Sequence, residues 1–106
     1  MKRELLFKPI ADKQLTILEN SPALEGILNQ VRKVLGYLEI NPQTNSLQTK
    51  PHHFLTKRYG RKIFESYIQQ NTPGAYRVFW YYEDDELYKN GKRIPVITII
   101  TITPYP

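Results

Sequence analysis

The sequence contains no cysteine. That excludes disulfides, thiolate chemistry and zinc sites built on cysteine, and it fits a reducing cytosol. Long apolar runs are missing as well, and no stretch approaches the roughly 20 apolar residues of a membrane-spanning helix. The N-terminus, MKRELLFKPIADK, has a basic start, but its apolar run is only Leu5-Leu6-Phe7, too short for a signal-peptide core. A cytoplasmic protein with no membrane association is expected. There is no internal repeat and no low-complexity tract. Metal-ligand spacing of the HExxH or Cys/His kind is absent. The neighbouring His52 and His53 do not supply it, because adjacent histidines seldom point at one ion. No metal and no cofactor is therefore expected.

Acid is missing from one segment in particular. Residues 42–62, PQTNSLQTKPHHFLTKRYGRK, contain five Lys and Arg and no Asp or Glu, which matches the +5 net charge of the whole chain. The flanks nearly cancel. Such a local basic patch attracts polyanions by counterion release and steering, although a solvated basic loop is the ordinary alternative. Lys50, His52, His53, Lys57, Arg58, Arg61 and Lys62 are its cations or potential cations. Leu47, Phe54 and Leu55 are expected to tether it to the body.

A chain of 106 residues suggests one domain with one core. Residues 4–10 read as a first strand and residues 11–20 as a short helix buried through Leu15 with Leu18 or Ile17. Asn20-Ser21-Pro22 is a break, in which Ser21 suits the cap of a second helix and Pro22 its first position. Leu24, Ile27, Leu28, Val31, Val34, Leu35 and Leu38 then recur at helical spacing and define one apolar face. This helix should stop by Asn41-Pro42, with Gly36 able to end or kink it earlier. Residues 63–69 form a strand in which Phe64, Ser66 and Ile68 share one face and Ile63, Glu65 and Tyr67 the other.

Residues 76–82 and 96–103 are β-branched and aromatic and suit two central strands. Asn90-Gly91 between them is the strongest short hairpin signal in the chain. In an unbroken hairpin Tyr76 would face Tyr105 and Arg77 would face Pro104, so Arg77 and Tyr105 would lie on opposite faces; a shared site requires a one-residue bulge or shift. The expected fold is α+β: a small antiparallel sheet with an N-terminal helical hairpin packed on one face, in the order β-α-α-β-β-β.

That order, the basic loop, Gly74-Ala75-Tyr76-Arg77-Val78-Phe79-Trp80-Tyr81 and the terminal Thr101-Ile102-Thr103-Pro104-Tyr105 resemble the RelE/ParE toxin superfamily of bacterial type II toxin–antitoxin systems. The resemblance covers nearly the whole chain by element order. It implies one RelE-like domain and a ribosome-dependent, metal-free mRNA endonuclease that uses the substrate 2′-OH as nucleophile. It also implies a cognate antitoxin protein as partner alongside mRNA and ribosome, and leaves open a homodimer or a hetero-oligomer with the antitoxin. Such cleavage needs proton transfer at the 2′- and 5′-oxygens and cations at the phosphate.

By this resemblance Arg77 contacts the scissile phosphate, which its planar fork suits. Tyr105 and His53 handle protons or stack on a base. Lys50, His52, Lys57, Arg58 and Arg61 hold the RNA. The alternative for Arg77 is a structural pairing with Glu65 or with the acidic turn 83–86, which otherwise reads as a solubilising face. The sequence departs from the family at Glu65 and Tyr67, where some nucleases carry inward lysines, and at Thr103 and Pro104, where a family arginine or histidine is missing. A ParE-like inhibitor of gyrase or another protein, and a catalytically degenerate RNA- or antitoxin-binding member, are the competing readings.

Overall fold

The computed structural model describes residues 2–68 and 75–104. Its elements run β1 (Glu4–Phe7), α1 (Pro9–Glu19), α2 (Glu25–Ile40), β2 (Lys50–Pro51), α3 (His53–Tyr59), β3 (Phe64–Tyr67), β4 (Tyr76–Tyr82), β5 (Leu87–Lys89), β6 (Lys92–Ile94) and β7 (Val96–Pro104). Short 3-10 turns occupy Pro22–Leu24 and Asn45–Leu47. The protein is α+β. Five strands form one sheet in the order β1-β7-β4-β3-β2, while β5 and β6 form a separate two-stranded ribbon.

The sheet is mixed rather than wholly antiparallel. β1 runs parallel to β7, with Leu5 opposite Ile97 and Phe7 opposite Ile99, and the other pairs are antiparallel. Strand direction across the sheet depends on the path through the intervening helices, which no local pattern in residues 4–10 encodes. The first strand ends at Phe7, not residue 10, because Pro9 fixes the φ of a helix's first turn and opens α1. Beyond Phe7 the edge of β7 is uncovered by β1. Gln14 from α1 reaches it: its side-chain carbonyl accepts the Ile102 N–H at 2.7 Å and the Thr101 hydroxyl at 3.0 Å.

The apolar stripe of the second helix is core, as its spacing indicates: Leu28, Val31, Val34, Leu35 and Leu38 are buried. The helix continues through Gly36 to Ile40. Pro22 lies in the preceding 3-10 turn, and the Ser21 hydroxyl donates back to the Ile17 carbonyl at 2.7 Å instead of capping forward. On α1, Ala11 and Leu18 are buried, Leu15 is half-buried and Ile17 is exposed. These helices cover one sheet face, where Val78, Trp80, Ile97, Ile99 and Ile102 form the main core with them. Trp80 is fully buried, and its indole N–H donates to Ser66 Oγ at 2.9 Å. Burying a side chain of this size contributes on the order of 3 kcal/mol.

The basic segment 42–62 is not a loop. Leu47 is buried and Leu55 packs into a second, smaller core with Ile63, Phe79, Tyr81 and Ile100 on the other sheet face, while Phe54 stays exposed and tethers nothing. α3 is bounded by local chemistry: His52 Nδ1 accepts the Leu55 N–H at 3.2 Å, and Gly60, with φ of 69°, takes the left-handed conformation that ends a helix.

Asn90 and Gly91 both have positive φ and join β5 to β6, as a two-residue turn of the I′ kind requires. The hairpin is nevertheless broken between this ribbon and the sheet. β4 and β7 also shift register between Phe79 and Trp80: Phe79 faces Thr101 whereas Trp80 faces Ile99. Ile100 is the extra residue of this β-bulge, and its side chain joins the second core. Tyr76 consequently faces Pro104 and Arg77 faces Thr103, one residue short of the pairing expected for an unbroken hairpin. Among the described residues no helix is long and apolar enough to cross a membrane.

Candidate functional site

Alternation along β3 and β4 decides which side chains meet. Phe64, Val78 and Trp80 point to the helical hairpin, so Glu65, Tyr67, Arg77, Phe79 and Tyr81 point to the opposite face. α3 covers that face over Phe79 and Tyr81. Beside the covered part, cross-strand register sets two pairs next to each other. Lys50 on β2 stands opposite Glu65 on β3, and Tyr67 on β3 stands opposite Arg77 on β4.

These four side chains form one cluster centred on Tyr67. The Arg77 guanidinium lies over the Tyr67 ring, 3.8 Å from its centroid. Lys50 Nζ donates to the Tyr67 hydroxyl at 3.2 Å and pairs with Glu65 Oε1 at 3.4 Å. Arg77 Nη1 also donates to the Ala75 and Tyr76 carbonyls at 3.3 and 3.4 Å. Glu65 is 4% exposed, and its Oε2 has no hydrogen-bond partner among the described residues. A buried carboxylate requires compensation, and Lys50 supplies it.

The electrostatic consequences follow from this packing. The hydrogen bond to Tyr67 and then the one to Glu65 push the Lys50 ammonium above its ordinary range. The Tyr67 phenol is held below the ordinary tyrosine value, first by its hydrogen bond from Lys50 and further by the charges of Lys50 and Arg77, with burial opposing. Two cations therefore stabilise negative charge at one hydroxyl.

A second cation–aromatic pair lies further along the same face. The Arg61 guanidinium sits 4.0 Å from the Tyr81 ring centroid, donates to the Tyr82 carbonyl at 3.1 Å and pairs with Asp84 at 3.2 Å. Arg61 is thus committed to holding the acidic turn. Glu83 in that turn accepts the Thr98 hydroxyl at 2.7 Å, which makes it a structural group rather than a solubilising one.

No protein-family model, curated protein or solved structure matches the chain.

Of the residues singled out from the sequence, Arg77 and Lys50 are brought to the same ring. The alternative pairing of Arg77 with Glu65 or the acidic turn is not the one found: Lys50 takes Glu65 and Arg61 takes Asp84. His52 caps α3 through Nδ1 and sets its ring edge-on against Phe79, with centroids 5.4 Å apart. His53 begins α3 as an exposed residue, and Lys57 and Arg58 are exposed in its last turn. Tyr105 lies outside the described residues. Among the described residues no group of three His, Asp or Glu side chains is placed to hold a metal ion.

Tyr67, which the sequence marks only as a departure from the family's inward lysines, is the centre of the cluster. The signal was present: alternation put it on the face opposite Phe64 and Ser66, and Arg77 lay in the next strand. What sequence did not disclose was β2, the two-residue strand that delivers Lys50.

Proposed function

We propose that the protein is a RelE-like toxin of a type II toxin–antitoxin system, a ribosome-dependent mRNA endonuclease that uses the substrate 2′-OH as nucleophile. The observation that carries this reading is the pairing of Arg77 and Lys50 around Tyr67 on the sheet face that the helical hairpin leaves free. Two fixed cations can neutralise a phosphate whose charge rises during in-line attack, and they sit beside a hydroxyl able to exchange a proton.

In this reading Arg77 binds the scissile phosphate through its fork and Lys50 adds a second positive charge. Lys57 and Arg58, exposed on α3, hold the flanking RNA backbone by charge. A helical hairpin on one sheet face and an arginine in a central strand support this reading, since the family resemblance implies both; the basic segment it implies as a loop instead carries its exposed cations on α3. A cytoplasmic location, and control by a cognate antitoxin that covers the cationic face, belong to the same proposal.

The test is a purified one. Wild-type protein is added to ribosomes programmed with a defined mRNA, and the products are sequenced and their ends characterised. Cleavage within the codon held in the decoding site, leaving a 2′,3′-cyclic phosphate and a 5′-hydroxyl, is expected. Intact mRNA under conditions where the protein binds the ribosome would remove the nuclease reading.

A further inference from the structure

We propose that Tyr67 is the proton donor to the leaving 5′-oxygen, positioned for that step between Lys50 and Arg77. The inference rests on the nuclease reading above and assigns within it a role that His52 is not placed to fill. His52 has Nδ1 committed to the Leu55 N–H and its ring edge against Phe79. The Tyr67 hydroxyl instead lies within the cluster that contains Arg77, the phosphate-binding candidate.

The groups facing Tyr67 come from four elements. Lys50 on β2 reaches its hydroxyl at 3.2 Å, and Arg77 on β4 lies over its ring at 3.8 Å. Glu65, two residues back on β3, acts through Lys50 at 3.4 Å. Lys33 and Tyr37 of α2 line a groove of about 180 Å³ that Tyr67 borders. Among the described residues the direct partners of Tyr67 on the sheet face, Lys50 and Arg77, are thus cations, and a phenolate formed there is stabilised where it forms.

The 2′-oxygen attacks phosphorus, the O2′–P bond forms, and the 2′-OH proton passes to water. The P–O5′ bond breaks, its electron pair stays on the 5′-oxygen, and that oxygen takes the phenolic proton of Tyr67. The products are a 2′,3′-cyclic phosphate and a 5′-hydroxyl. The phenolate then regains a proton from solvent. Arg77 offsets charge on the non-bridging oxygens throughout, and the Lys50–Glu65 pair keeps an ammonium against the phenol oxygen. The lowered pKa of the phenol agrees with this role, since a more acidic donor gives its proton more readily to an alkoxide.

The experiment compares two synthetic mRNAs on programmed ribosomes. One is natural; in the other, sulfur replaces the bridging 5′-oxygen at the scissile position, so that the leaving thiolate needs no proton. Tyr67→Phe is expected to slow cleavage of the natural mRNA by about 10²–10⁴-fold and to slow the thio-substituted mRNA by less than roughly tenfold, in keeping with a loss confined to protonation of the leaving group. Arg77→Ala is expected to impair both. Replacing Tyr67 with the more acidic 3-fluorotyrosine keeps ring and hydroxyl, and should move the alkaline limb of the rate profile to lower pH.

Tyr67→Phe cutting the natural mRNA at the wild-type rate, slowing both substrates equally, or an unmoved alkaline limb would each overturn the role of Tyr67 while leaving the nuclease intact. Wild-type protein cutting neither mRNA overturns the nuclease reading and this role together.

Discussion

Lys50→Met is the perturbation that most directly probes how the charged cluster is held. Lys50 is the described partner of a carboxylate that is 4% exposed, at 3.4 Å, and it also donates to Tyr67. Leaving a buried charge without its partner costs about 3–5 kcal/mol. The Lys50 side chain is itself 55% exposed, so solvent screens the attraction and an exposed pair is worth only about 0.2–1 kcal/mol. A pair with one member in each environment should fall between, at about 2 kcal/mol. For a domain of this size that corresponds to a fall of roughly 8 °C in Tm. Methionine retains most of the alkyl stem, so the loss reports the charge. In a Glu65→Gln background the same substitution should cost no more than about 0.5 kcal/mol, because no carboxylate is left to strand. Thermal unfolding of the four proteins in the cycle, followed by circular dichroism at pH 7, measures the coupling. Additive losses, or an unchanged Tm for Lys50→Met, would refute the claim that Lys50 compensates Glu65.

Three further outcomes are expected. Ser66→Ala removes the acceptor of the fully buried Trp80 N–H and the partner of the Thr49 hydroxyl, at 2.9 and 2.7 Å; it should lower stability by about 2 kcal/mol in denaturant titration and alter Trp80 fluorescence. The Glu83 carboxyl is held below its ordinary value of 4.5 first by the Thr98 hydroxyl, with Tyr81, Arg61 and Lys8 adding and burial opposing. A depressed carboxyl pKa contributes stability above 4.5 that is lost as pH falls through the lower folded value, so Glu83→Gln should be less stable than wild type at pH 7 and the gap should close in acid titration. Replacing Lys57 and Arg58 together by Gln should reduce the salt slope of single-stranded RNA binding by about 1.4, at roughly 0.7 per phosphate contact; an unchanged slope would show that α3 does not touch the backbone.

Much of the fold was legible because its signals are local and periodic. The Leu28 to Leu38 stripe, the two β-branched central strands and the Asn90-Gly91 turn each depend on a few neighbouring residues. The parts that were not legible depend on distant ones. β1 lies parallel to β7 only because the chain returns from the helices on a particular side. β2 exists because Lys50-Pro51 meets Glu65 and Phe64 across a gap in sequence. α3 has seven residues, too few for a periodic signal, and its cap is a histidine side chain rather than one of the usual cap types. The Ile100 bulge carries no Gly or Pro to announce it. The site was half visible for the same reason: Arg77 stands out as a charge within a strand, whereas Tyr67 gains its meaning only from Lys50 and Arg77, which the sheet brings to either side of it.

The central claim is that the Arg77 face of the sheet cleaves RNA. Its most direct test is controlled expression in bacteria of wild-type protein and Arg77→Ala, with mRNA 5′ ends mapped over the following minutes. The mutant should remain folded, since Arg77 is half-buried at the sheet's surface and outside both apolar cores. New ends at fixed positions within translated codons, present with wild type and absent with Arg77→Ala, are expected. Growth arrest without new mRNA ends, or cleavage that persists in Arg77→Ala, would contradict it.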